Sequence, residues 1–343
     1  MKIRIFVGTG GVGKTSVAAA SGLKTAIEGS RCLVLTIDPA TRLKTALGIG
    51  TAGGAQKVPT EPFSAKGELW AAQLDVKERL DHMVRRHARA EKLQIILQHP
   101  IYEAVGRLVG MQELMAIERI GEALAEGYDE VIVDTAPSRH ALEFLDKPEY
   151  FVQLVGSPLV RLVGRTYHWW EKSSLARLGR LGFELYSQIE KLVGVELARD
   201  VLEFFSAFQG VAEAYAKESA GTLERLHDSR TTSFTIVTSP FKASRDAGFF
   251  WQELQKRKFF VEGLVVNRIW PELAVSARPG ASGEAEALVT WYRNVSAAHR
   301  QAWEHVAAEY APKIQRLLPL RELPADIDGL PALHQMAQAM GPA

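Results

Sequence analysis

Gly8-Thr9-Gly10-Gly11-Val12-Gly13-Lys14-Thr15 comes within the first fifteen residues and fits the phosphate-binding pattern of Gly, four residues, then Gly-Lys-Ser/Thr. Its surroundings fit as well. Ile3, Ile5, Phe6 and Val7 read as a short buried strand before it, and Val17-Ala18-Ala19-Ala20 leads into a helix that stops near Gly29. Strand, glycine-rich loop and helix in that order predict a site for a nucleoside triphosphate.

The residue types supply the chemistry. Glycines let the backbone curl around a phosphate chain, so successive N–H groups of Gly8, Thr9, Gly10, Gly11, Val12 and Gly13 form an anion nest at a helix N-terminus. Lys14 is expected to bridge the β- and γ-phosphates, and the Thr15 hydroxyl to hold a magnesium ion that touches the same oxygens. Ser16 completes the nucleotide-binding set. The bland alternative is a glycine turn with no ligand.

With 343 residues and 47% apolar composition, the chain has enough material for a substantial core. Lys plus Arg (41) balance Asp plus Glu (40), so no global field recruits nucleic acid or an acidic membrane. The basic run from Lys77 to Lys92 is broken by acids and reads as a solvated helix face. Cys32, the single cysteine, sits in an apolar strand, which predicts no disulfide and no cysteine zinc site. No apolar run reaches the ~18 residues of a membrane span. The early phosphate loop also argues against a cleaved signal, so a cytoplasmic location is expected.

Further strands are predicted at Cys32–Ile37, Leu69–Leu74, Val131–Val133, Phe234–Thr238, Gly263–Asn267 and Lys313–Leu318. The second ends in Asp38-Pro39-Ala40, followed by a short helix from Thr41 to Leu47 closed by Gly48. Gly50 to Gly67 reads as a loop, and Asp75 as the cap of a helical stretch running from Val76 to Gly127 with a break near His99-Pro100. Val131-Ile132-Val133 ends in Asp134-Thr135-Ala136-Pro137, the form of a strand whose carboxylate organises magnesium through water. Helices are expected from Ser244 to Lys258, Glu284 to Ala308 and Leu330 to Met340. The alternation predicts an α/β fold, a P-loop NTPase with a doubly wound, mostly parallel sheet. Residues 1–98, 128–149 and 229–343 form its nucleotide-binding core. Residues 99–127 and 150–228, greasy and without strands, form an inserted helical subdomain.

Three stretches together resemble the ArsA/GET family, the arsenite-pump ATPases and the ATPases that target tail-anchored proteins. They are Gly10 to Thr15, Thr36-Ile37-Asp38-Pro39-Ala40, and Asp134-Thr135-Ala136-Pro137-Ser138-Arg139-His140-Ala141-Leu142-Glu143-Phe144-Leu145. The resemblance implies that the chain binds and hydrolyses ATP with magnesium, returning ADP. Asp38 orients the attacking water, Lys14 is catalytic, and Asp134 with Thr135, Ala136 and Pro137 forms the second switch. Asp38 and Asp134 reach the metal through water, and Asn267 reads the adenine edge. From the residues alone, Asp38 as a helix cap and Asn267 as a strand terminator stay open.

Departures from the family pattern shape the expected function. The family's lysine at the second loop position is Thr9 here, which leaves three outcomes: slow turnover, a cation from elsewhere (Arg42 or Arg139), or a partner subunit with its own lysine. Cysteine-based zinc clamping and arsenite binding are not expected with Cys32 alone. The leading expectation is a nucleotide-switched dimer, of this chain with itself or with a paralogous ATPase subunit, whose helical block handles a hydrophobic helix of a protein client. The other is a slow assembly protein in which dimerisation is the signal. The greasy helices suit either a client groove or plain core packing, and the 150–228 block has no methionine.

Overall fold

The computed structural model describes residues 1–38, 42–50, 54–107, 110–136, 195–272 and 283–341. Expectations for Pro39, Ala40, Pro137, Arg139, the Arg42 side chain and the helical stretch 150–194 lie outside the described residues.

Among the described residues eight strands form one sheet: β1 (Lys2–Val7), β2 (Arg31–Thr36), β3 (Gln56–Val58), β4 (Glu68–Gln73), β5 (Glu130–Asp134), β6 (Thr232–Thr238), β7 (Val261–Ile269) and β8 (Arg316–Arg321). The helices are α1 (Lys14–Ile27), α2 (Arg42–Leu47), α3 (Val76–His87), α4 (Ala90–Gln98), α5 (Pro100–Gly106), α6 (Met111–Ala125), α7 (Val195–His227), α8 (Ala243–Lys256), α9 (Gly283–Tyr310) and α10 (Leu330–Ala339). Strand order is β3-β4-β2-β5-β1-β6-β7-β8, parallel throughout except β3. The α/β fold with a mostly parallel sheet is the one expected.

The central strands are apolar on both faces, as parallel strands covered on both sides must be. Phe6, Val34, Ile132, Val237 and Val265 join the core under α1 and α10, and the alternate residues Ile5, Leu33, Leu35, Val133 and Ile236 are equally buried. Cys32 belongs to the first set, and burial pushes its thiol well up, with Glu130 adding to the effect. Strand order reverses at β1. β2 and β5 lie on one side of it and β6 to β8 on the other, so the loop after β1 opens at the topological switch point where such sheets bind ligands.

Two details differ from the sequence reading. The loop expected between Gly50 and Gly67 contains β3, which pairs antiparallel with β4 at the sheet edge. The described chain also divides into two compact units at different borders: residues 1–74, 123–142 and 225–343, and residues 75–122 and 143–224. Residues 76–98, expected with the α/β core, therefore group with the helices. The reason is packing: α3 lies on α4 and α5, Arg79 pairs with Glu118 and Glu122, and the Tyr102 hydroxyl donates to Asp81 at 2.7 Å. Asp75 caps α3 as expected, its carboxylate accepting from the Glu78 N–H at 2.9 Å, a contact of about 1 kcal/mol.

Candidate nucleotide-binding site

The register of three neighbouring strands assembles the site. Phe6 of β1 and Thr36 of β2 both stand opposite Asp134 of β5. The three carboxyl ends therefore finish level, and the segments that leave them (the phosphate loop, the Asp38 segment and the Asp134 segment) meet.

Glycine is required in the loop by contact and by conformation. A Cβ on Gly8 would lie 2.3 Å from the Val237 carbonyl oxygen, and one on Gly13 would lie 2.3 Å from the Asn267 side-chain nitrogen. Gly11 and Gly13 have φ of 80° and 81°, and Gly13 caps α1. This left-handed geometry turns backbone N–H groups into a concave anion nest. A Cβ on Gly11 would meet nothing within 4 Å, so the mouth of the loop is open. The nest and the buried Thr15 hydroxyl suit a polyphosphate with a hard, oxygen-seeking cation.

Lys14 is 4% exposed and Asp134 fully buried; Lys14 Nζ donates to Asp134 Oδ1 at 2.8 Å and to the Thr135 carbonyl. The second Asp134 oxygen accepts from Thr36 Oγ1 at 3.0 Å, and the same hydroxyl oxygen accepts from the Asp38 N–H at 3.2 Å. Thr36 thus ties Asp134 to Asp38. The Asp38 carbonyl accepts from Gln73 Nε2 at 3.4 Å, and the Thr135 hydroxyl donates to the Phe6 carbonyl at 2.8 Å. Ala136 closes the described part of this segment.

A cleft of about 630 Å³ runs along the loop, lined by Thr9, Gly11, Gly13, Lys14, Thr15, Ser16, Asp38, Asn267 and Arg268 among others. That volume is in the range of small-ligand sites. Lys14 and Asp38 face the same space, although 24 residues separate them in the chain. Asn267 Nδ2 donates to the Val12 carbonyl at 3.0 Å, so this residue braces the loop from the end of β7. Val12 itself is fully buried.

Three residues that the sequence reading missed also grip the loop. Asp246, buried in the first turn of α8, accepts from the Thr9 hydroxyl at 2.5 Å. Lys242 Nζ donates to the Gly10 carbonyl at 3.0 Å. Arg268 reaches the Gly11 carbonyl at 3.4 Å while its guanidinium holds Glu322 at 2.9 Å. One signal was available: Asp246 falls on the buried stripe Ala243, Ala247, Phe250 and Leu254, where an acid has no packing reason to be.

Comparison with known proteins identifies the family. The family model of the anion-transporting ATPases, ArsA ATPase, matches residues 1–341. A putative arsenical pump-driving ATPase of Prosthecochloris vibrioformis is 32% identical over 154 residues, 43% of this chain and 36% of that protein. ATPase ASNA1 homolog 1 of Paramecium tetraurelia is 25% identical over 77% of this chain and 74% of its own length. Putative arsenical pump-driving ATPase 1 of Aquifex aeolicus is 22% identical over 98% and 78%. The Prosthecochloris relative and its Chlorobaculum tepidum counterpart are each spanned over about a third of their length, 36%. A family match that leaves only the last two residues uncovered is decisive: the chain belongs to the ArsA family of anion-transporting ATPases.

Proposed function

We propose that the chain is a magnesium-dependent ATPase used as a switch, with Thr36 coupling its Asp38 and Asp134 segments. The observation that carries this is the pair of hydrogen bonds made by the Thr36 hydroxyl, one donated to Asp134 and one accepted from the Asp38 N–H. Lys14 is engaged by Asp134. When a polyphosphate enters the nest, Lys14 exchanges that carboxylate for phosphate oxygens, and Asp134 is released while still held by Thr36. Its change is therefore passed to Asp38, which orients the attacking water. The Thr15 hydroxyl, with Asp134 and Asp38 through water, offers the oxygen donors magnesium prefers, and the ion supplies charge neutralisation on the phosphates. Asn267 sits against Gly13 at the same cleft, and we assign it the adenine edge.

The reading extends to a nucleotide-controlled dimer, of this chain with itself or a paralogous subunit, acting in the cytoplasm on a hydrophobic helix of a protein client. Among the described residues no helix is long and apolar enough to cross a membrane. Arsenic capture by thiolates finds no support in this chain, whose single cysteine is fully buried in β2. A second reading, a slow assembly protein without a client groove, is favoured by Thr9. Its hydroxyl is held by Asp246 and brings no charge to the loop.

The test is phosphate release from ATP with and without magnesium. The whole chain should hydrolyse ATP only with the ion. Asp38→Asn should lower kcat by ~10²-fold or more while ATP still binds, because a water-orienting carboxylate acts in the chemical step. Equal turnover in both proteins would remove Asp38 from its role.

A further inference from the structure

Three cations stand at the phosphate loop, Lys14 buried within it and Arg268 and Lys242 on its carbonyls, and they differ in what neutralises them. Lys14 pairs with Asp134 at 2.8 Å. Arg268 pairs with Glu322 at 2.9 Å. Lys242, partly exposed, contacts the loop only through the Gly10 carbonyl at 3.0 Å, and no carboxylate among the described residues pairs with it.

Its position is built rather than incidental. Pro240–Lys242 is a 3-10 turn closed by the Lys242 N–H on the Ser239 carbonyl at 2.9 Å, and α8 begins at the next residue. The lysine stem therefore starts from a rigid corner. Asp246 lies four residues on, one helical turn away and on the same side as Lys242. Left alone, that carboxylate would draw the ammonium inward. Instead one Asp246 oxygen takes the Thr9 hydroxyl at 2.5 Å and the other lies 3.5 Å from Arg245. Thr9 and Gly10 are thus gripped as a pair by Asp246 and Lys242, and the ammonium rests on the carbonyl of Gly10, the residue before Gly11, with no carboxylate among the described residues bound to it.

We infer that Lys242 is a catalytic cation: its ammonium, parked on the Gly10 carbonyl, swings onto the polyphosphate and stabilises charge as the terminal phosphoryl group leaves. This rests on the ATPase reading above. In the hydrolysis a water oxygen bonds to the γ-phosphorus, and the bond from that phosphorus to the bridging oxygen breaks. The electron pair stays on ADP; one water proton remains on the phosphate and the other goes to solvent. Lys242 forms no covalent bond. It offsets the negative charge that gathers on the bridging oxygen, the task a cationic finger performs in other phosphoryl-transfer sites. Supplied from α8 of the same chain, the charge needs no partner subunit.

The experiment compares the whole chain with Lys242→Ala and Lys242→Arg, measuring kcat, ADP affinity by calorimetry and thermal midpoint. Lys242→Ala should lose about 10²-fold in kcat while ADP affinity and midpoint stay near wild type. Lys242→Arg should remain within about threefold of wild type. Ethylammonium added to Lys242→Ala should restore part of the rate. Wild-type kcat in Lys242→Ala overturns the inference and leaves the ATPase reading intact. A parallel fall in ADP affinity and midpoint, with no recovery by arginine or amine, makes Lys242 a structural brace and also overturns it. A wild-type chain that neither binds ADP nor hydrolyses ATP overturns both.

Discussion

Buried charge serves different ends in the two units. In the helical unit, Arg79 holds Glu118 at 2.6 Å and Glu122 at 2.8 Å, and Arg119 holds Glu122 at 3.2 Å. Burial would pull the Arg79 proton affinity down, but the hydrogen bonds and charges of the two glutamates outweigh it and hold it above the ordinary value. The Tyr215 hydroxyl donates to the Leu114 carbonyl at 2.9 Å, and burial pushes its pKa well up. Each of these groups has its partners within the helices. In the α/β unit, Lys14 is as deeply buried as Arg119 but borders a cleft of about 630 Å³ along with Asp38. A buried ion pair marks a binding site when a ligand can take the place of one partner; without a cleft it is structural.

The largest expected effects test that distinction by mutation. Lys14→Ala leaves Asp134 buried with only Thr36 for support, and removing one partner of such a pair costs about 3–5 kcal/mol. Arg79→Ala strands Glu118, while Glu122 keeps Arg119, and should cost a similar few kcal/mol. Chemical denaturation should therefore show comparable losses, whereas nucleotide titration should separate the two. Lys14→Ala loses binding; Arg79→Ala, measured below its own denaturation midpoint, keeps it. If both variants lost affinity equally, the contrast between structural and exchangeable pairs would fail.

A smaller effect sharpens the picture inside the α/β unit, where not every buried titratable group belongs to the site. His299 is 3% exposed, and its Nδ1 accepts from the Trp270 N–H at 3.1 Å, a bond that needs the neutral ring. Burial lowers its pKa, with Glu322 opposing. Because the folded value lies below the unfolded one of about 6.5, the contribution of His299 is complete above that pH. It is lost as pH falls from there through the lowered folded value, since the unfolded chain takes up the proton first. The stability difference between pH 7.5 and 5.5, read by denaturant midpoints, should shrink in His299→Gln while nucleotide affinity stays constant. An unchanged difference would mean that His299 does not titrate in this window.

What the sequence revealed follows the range of the interactions. The phosphate loop, α1 and its stop at Gly29, the six inner parallel strands and the Asp75 cap all announce themselves within a dozen residues, through apolar runs, glycines and a capping acid. β3 does not. Three residues at a sheet edge carry no usable period, and Gln56-Lys57-Val58 becomes a strand only because β4 lies beside it. The helical unit begins at Asp75 instead of near residue 99 because ion pairs between α3 and α6, 39 residues apart, hold α3 there. Lys242, Asp246 and Arg268 escaped notice for the same reason, since they reach the loop across more than 230 residues of chain. Asp38 and Asp134 were legible as acids ending apolar runs. Their link through Thr36 was not, because it depends on the register of β2 against β5.

The most direct measurement is calorimetric titration of ADP into the whole chain with excess magnesium and again with EDTA. The account predicts one saturable binding event per chain that weakens markedly when the ion is removed. No heat in either buffer, or the same affinity in both, would contradict it.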